Sequence, residues 1–170
     1  MRILKSFAIA LVAITLSATA MAEGKIAVFN AQAAIMNTQA AKKALESLKA
    51  NPEFAAMTAK FEALRADMAA LEKEANTKGM TWNAEEKADY RKKVEFKNAD
   101  MKLVLEKLRA EEQAAVQRLM QDMIPKAKSA LNQVVVAEGI SVVIDSKSAL
   151  YADPAHNITA KVTDKLNKAK

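Results

Sequence analysis

The chain has 170 residues, a formal net charge of +6, no cysteine, one histidine and three glycines. Such a composition excludes a disulfide framework, a cysteine-based metal centre and a glycine-rich phosphate loop. Aromatic residues make up only 5%, which suits closely packed helices better than a thick core.

The first residues read as an export signal. Arg2 and Lys5 precede an almost wholly apolar stretch from Ser6 to Leu16, and Ala20-Met21-Ala22 is an A-x-A cleavage signature. Cleavage after Ala22 is expected, leaving Glu23 as the first mature residue and a net charge of about +4. No cysteine follows the apolar run, so a lipid anchor is not available there. In a Gram-negative cell the product of such a signal is periplasmic.

Ile26-Ala27-Val28-Phe29 is a short β-branched and aromatic run, predicted as a first strand. Ala31 to Ala50 reads as one helix with Ile35, Ala41, Leu45 and Leu48 on one side. Asn51-Pro52-Glu53 restarts a helix: Asn caps, Pro fits the first turn and Glu favours the positive end of the dipole. Phe54, Met57, Phe61, Leu64, Met68 and Leu71 then recur at spacings of 3 and 4, a heptad seam that needs a partner helix. The pattern stops near Gly79. Asn83 and Glu86 form a capping-box signature for a second long helix, Ala84 to about Ala137. Its seam is less regular: Tyr90, Val94, Met101, Leu105, Leu108, Ala115 and Leu119. Lys97 or Asn98, and Glu111 or Glu112, fall where apolar residues belong. Pro125 is expected to bend this helix. The two stretches are of similar length, so residues 31–137 are expected to form an antiparallel coiled-coil hairpin with its tip near 77–83. Such an arm reaches roughly 70 Å if straight.

Ile140 to Asp145 is the strongest strand signal, and Ser148 to Tyr151 is predicted as a third strand. Asn157-Ile158-Thr159 opens a last helix with Val162 and Leu166 on one face. The expected fold is α+β, predominantly α. Residues 1–22 are the signal, residues 31–137 the arm, and residues 23–30 with 138–170 a small three-stranded body carrying a C-terminal helix. Three short strands and one short helix bury little apolar surface and leave open sheet edges. An obligate homo-oligomer built through the strands follows, with a dimer or a domain swap as milder alternatives.

Chemistry-bearing motifs are scarce. His156 lies in a polar loop and reads as solvated; Asp145 follows a strand with no neighbouring base and reads as a turn former. The pattern argues against an enzyme and implies no cofactor. Lys87, Arg91, Lys92, Lys93, Lys97, Lys102, Lys107 and Arg109 crowd the return helix, but interspersed acids reduce Glu86–Arg109 to a net of +3. Few aromatics accompany them, so nucleic acid is not an expected partner, while weak contact with anionic lipid stays open. Met80 and Trp82 stand at a tip with little core to fill and are candidates for contact with a partner.

The order of these features resembles the Skp/OmpH family of periplasmic chaperones. The resemblance is carried by Lys-Ile-Ala-Val-Phe-Asn at Lys25–Asn30, Gly-Ile-Ser-Val-Val-Ile-Asp from Gly139, Ala-Leu-Tyr at 149–151, and Asn-Ile-Thr-Ala-Lys-Val from Asn157. It implies a homotrimer without ATP whose arms surround a cavity for unfolded outer-membrane β-barrel proteins, and it admits weak contact with lipopolysaccharide. By position, Ile26, Val28, Val142, Ile144, Leu150 and Tyr151 would build the trimer interface. Met80, Trp82, Lys87, Arg91, Lys92 and Lys93 are the client-contact candidates. Asn157 replaces the acid expected before the Ile-Thr pair. Two rival readings remain at this point: a coiled-coil adaptor or structural protein of the cell envelope, and a basic nucleic-acid or lipid-binding protein.

Overall fold

A computed structural model describes residues 24–169. The expected signal, residues 1–22, lies outside the described residues. In chain order the elements are β1 (Lys25–Phe29), α1 (Ala31–Met36), α2 (Gln39–Ala50), α3 (Pro52–Lys78), α4 (Ala84–Glu138), β2 (Ile140–Asp145), a 3₁₀ turn (Pro154–His156) and α5 (Thr159–Lys168). Most of the chain is helical, and no helix among the described residues is long and apolar enough to cross a membrane.

The helix ends follow from local chemistry. Asn51 accepts from the backbone N–H groups of Glu53 and Phe54, with Pro52 just inside α3. Asn83 and Glu86 close a reciprocal capping box at the start of α4. Gly139 ends α4 in the left-handed region at φ 64°, where a side chain would be strained. Gly79, by contrast, ends α3 with ordinary right-handed geometry.

Two expectations fail here. The helix predicted from Ala31 to Ala50 is two helices. Asn37 caps the end of α1, and the buried Thr38 hydroxyl donates to the Ile35 carbonyl while accepting from the Ala41 N–H. A side chain that satisfies both helix ends makes this break locally stable. The third strand at Ser148–Tyr151 does not form. A turn follows β2, with the Ser148 N–H donating to the Asp145 carbonyl, and the chain leaves the sheet. The far edge of β1 is taken instead by Asn157 and Ile158: Asn157 bridges Val28, and the Ile158 N–H donates to the Val28 carbonyl at 3.0 Å.

The sheet therefore has two parallel strands, with Ile26 opposite Val142 and Val28 opposite Ile144. An irregularity between Lys25 and Ile26 lets one strand residue pass unpaired at Ser141. That shift explains why Ile140 and Val143, of opposite parity, both reach the core. Ala27, Phe29, Ile35, Ile140, Ile158, Val162 and Leu166 pack there against Met123, Ala127, Ala130 and Val134 of α4. Thr163 ties α5 to α1 by donating to the Ala34 carbonyl at 3.0 Å.

A second, separate core lies along the arm. Phe54 and Leu64 of α3 are buried against Val104 and Leu108 of α4, flanked by Leu48, Met57, Phe61 and Met101. Pro125 sits inside α4 without ending it.

Candidate functional site

A strand sends alternate side chains to opposite faces. Ala27 and Phe29 face the helices, so Ile26 and Val28 face away, as do Val142 and Ile144 across the pair. Ile26 keeps 52% of its surface exposed, Val142 49% and Ile144 38%. Val28 is different: it is buried by its own chain, beneath a hollow lined by Ala149, Leu150, Tyr151, Pro154 and Ala160. Leu150 and Tyr151 stand almost wholly in solvent beside this face. Five of the six residues named for the interface are thus open apolar groups on one side of the body, and among the described residues β2 pairs with β1 alone. A contiguous apolar surface of this kind is uncommon on a monomer.

The arm places its named residues as follows. Phe54, Leu64 and Leu108 are buried between the helices; Met57, Phe61, Met68, Leu71, Val94 and Met101 are half-buried along the same line. Val104, missed in the sequence because Leu105 looked equally suitable, is the buried member of that pair. Spacing outward from Met101 by three and then four would have selected it. Lys97 stands on the seam and pairs with Asp67 across the hairpin. With both side chains partly exposed, that pair contributes on the order of 0.2–1 kcal/mol.

At the tip, Met80 is 99% exposed. Trp82 is not free: its ring lies 4.9 Å from that of Tyr90, tilted by 42°, and it is half-buried beside Leu71. Lys87, Arg91, Lys92 and Lys93 are exposed on the first turns of α4. Phe96 and Leu103, seven residues apart and off the seam, are also exposed; an apolar repeat at a single heptad position was the signal for them.

These features define a class: a long two-helix hairpin raised on a small parallel sheet whose outer face is apolar and uncovered. The profile of the family described as "Outer membrane protein (OmpH-like)" matches residues 25–166. The chain belongs to that OmpH-like family. Comparison with curated proteins gives no match. One solved structure, a candidate outer membrane chaperone (OmpH-like) from Caulobacter crescentus CB15, aligns over 85% of this chain and 85% of its own, at 20% identity and a TM-score of 0.48.

Proposed function

We propose that this protein is an ATP-independent periplasmic holdase. It assembles as a homotrimer through the open sheet face and holds unfolded outer-membrane proteins between its arms, preventing their aggregation on the way to the outer membrane. The observation that carries this reading is the uncovered row of Ile26, Val142, Ile144, Leu150 and Tyr151 at the base of a long projecting arm. Such a row, joined to others like it, makes a hub, and arms on a hub enclose a space. Membership of the OmpH-like family and the export pattern at the N-terminus support it.

The mechanism requires no bond to be made or broken. A client held between arms cannot meet a second client, and many weak contacts along each arm sum to useful binding. Exposed Met80, Phe96 and Leu103 supply apolar contacts, and Lys87, Arg91, Lys92 and Lys93 attract anionic segments or the headgroups of anionic lipid and lipopolysaccharide.

The test is suppression of aggregation. Several unrelated outer-membrane β-barrel proteins, diluted from urea, should stay soluble at about one trimer per client. A pure oligomer that leaves light scattering unchanged refutes the reading. Binding of one folded partner, with no effect on unfolded chains, points instead to an adaptor. A steep loss of nucleic-acid binding with salt points to the third reading.

A further inference from the structure

We propose that Met80 is a site of oxidation by peroxide, and that its sulfoxide weakens the grip of the arm tip without disturbing the fold. The first half rests on the structure; the second rests on the holdase reading above.

The sulfur of this chain is all thioether. There is no cysteine to intercept a mild oxidant, so methionine is the side chain that a peroxide attacks first. Of the nine methionines, Met1 and Met21 fall in the expected signal. Met57, Met68 and Met101 are half-buried along the hairpin seam, Met120 is half-buried against the body core, and Met123 is only 6% exposed within it. Met36, at the end of α1, is 41% exposed and lines an apolar groove with Leu45 and Val116. Met80 is 99% exposed. Access to the sulfur therefore ranks Met80 first, Met36 second and Met123 last.

The tip is built so that the Met80 side chain holds nothing together. Before it, the Gly79 N–H donates to the Ala75 carbonyl at 2.9 Å; after it, the Thr81 N–H and hydroxyl both donate to the Lys78 carbonyl, at 2.9 and 2.8 Å. The Trp82–Tyr90 ring pair and the Asn83–Glu86 capping box then fix the start of α4. Oxidation of Met80 thus costs no packing, whereas a sulfoxide at Met101 or Met123 would place a polar oxygen among apolar contacts.

The chemistry is a two-electron oxygen transfer. A sulfur lone pair attacks one oxygen of hydrogen peroxide, and the S–O bond forms as the O–O bond breaks. Sulfur is oxidised, and the leaving hydroxide takes the proton from the new S–OH group and departs as water. The product exchanges an apolar, polarisable group at the end of the arm for a strongly polar hydrogen-bond acceptor. Apolar segments of a client lose a contact there, and in an assembly of several arms the loss is repeated at every tip.

Peptide mapping by mass spectrometry, on mature protein in dilute hydrogen peroxide, reads the site. Met80 should convert at about the rate of free methionine, roughly tenfold faster than Met123, and ahead of Met36. Protein oxidised at Met80 should keep its circular dichroism and thermal midpoint, and about three times as much of it should be needed to half-suppress aggregation of an outer-membrane β-barrel protein. Met80→Leu should match untreated wild type and stay unchanged by the same treatment. Conversion of Met80 no faster than that of Met123 overturns the inference. So does a thermal midpoint lowered by Met80 oxidation, or suppression that responds to peroxide equally in wild type and Met80→Leu. A wild type that suppresses nothing before treatment removes the holdase reading instead, and the order of conversion then decides the site by itself.

Discussion

Substituting Val142 by Asp gives a sharp test of the proposed interface between copies. Val142 projects from the side of the sheet opposite the helices, and about half its surface is open in the single chain (49%). Complete burial of a valine is worth about 1.5–3 kcal/mol, so covering the remaining half contributes about 1 kcal/mol per subunit. An aspartate there forfeits that gain and places a carboxylate against Ile26 and Ile144 with no partner, at a cost of several kcal/mol. A combined loss of about 4 kcal/mol lowers association roughly a thousandfold per interface. Because the side chain avoids the core of Phe29, Ile35 and Val162, the subunit itself should keep its helicity. Native mass spectrometry and circular dichroism together make the assay: folded monomer is expected for Val142→Asp and Ile144→Asp, intact oligomer for Val142→Ala. Oligomer persisting in both Asp variants at micromolar concentration refutes the proposed interface. Val143→Asp supplies the contrast. That neighbour packs on the core cluster, so it should unfold the body instead of merely separating the subunits.

Other outcomes follow from the same geometry. Leu64→Ala empties the middle of the arm core and should cost about 2–5 kcal/mol, read as a lower thermal midpoint of helicity with the oligomer retained. Thr163→Val removes the hydrogen bond to the Ala34 carbonyl and leaves a buried acceptor unpaired; a loss of about 1–3 kcal/mol in urea unfolding is expected. Gly139→Ala forces a side chain into the left-handed region at the α4–β2 junction and should destabilise the protein by about 1 kcal/mol. Lys97→Met exchanges a weak exposed pair for apolar seam packing; the arm should melt higher, and its stability should become less sensitive to salt.

The hairpin was legible because its information is local and periodic. Phe54 to Leu71 repeat at 3 and 4, and the Asn51-Pro52 and Asn83…Glu86 signatures act within one turn, so nothing distant is needed to read them. The α1–α2 break was not legible. It depends on Thr38 being buried where its hydroxyl can serve both helix ends, and a lone threonine in an alanine-rich run carries no periodic mark. The Ser148–Tyr151 strand failed for a related reason. The sequence can show extended propensity, but whether a sheet edge is free depends on Asn157 and Ile158 returning to β1, which is a tertiary fact. Of the interface candidates, Ile26, Val142 and Ile144 alternate correctly with the core face, whereas Val28 shares their parity yet is covered by the 149–160 loop. Alternation tells which face a side chain takes; it does not tell what else lies on that face.

The parallel pairing of β1 with β2 joins residues separated by more than a hundred positions, Lys25 beside Ile140. Closing so wide a loop at random is slow, and the hairpin removes most of that delay by carrying its two feet to one spot. Zippering of the helices should therefore precede strand pairing. If the proposed assembly runs through the sheet face, a chain cut short before Ile140 keeps both legs of the hairpin but lacks β2, and the join between copies would then report that β2 had been made.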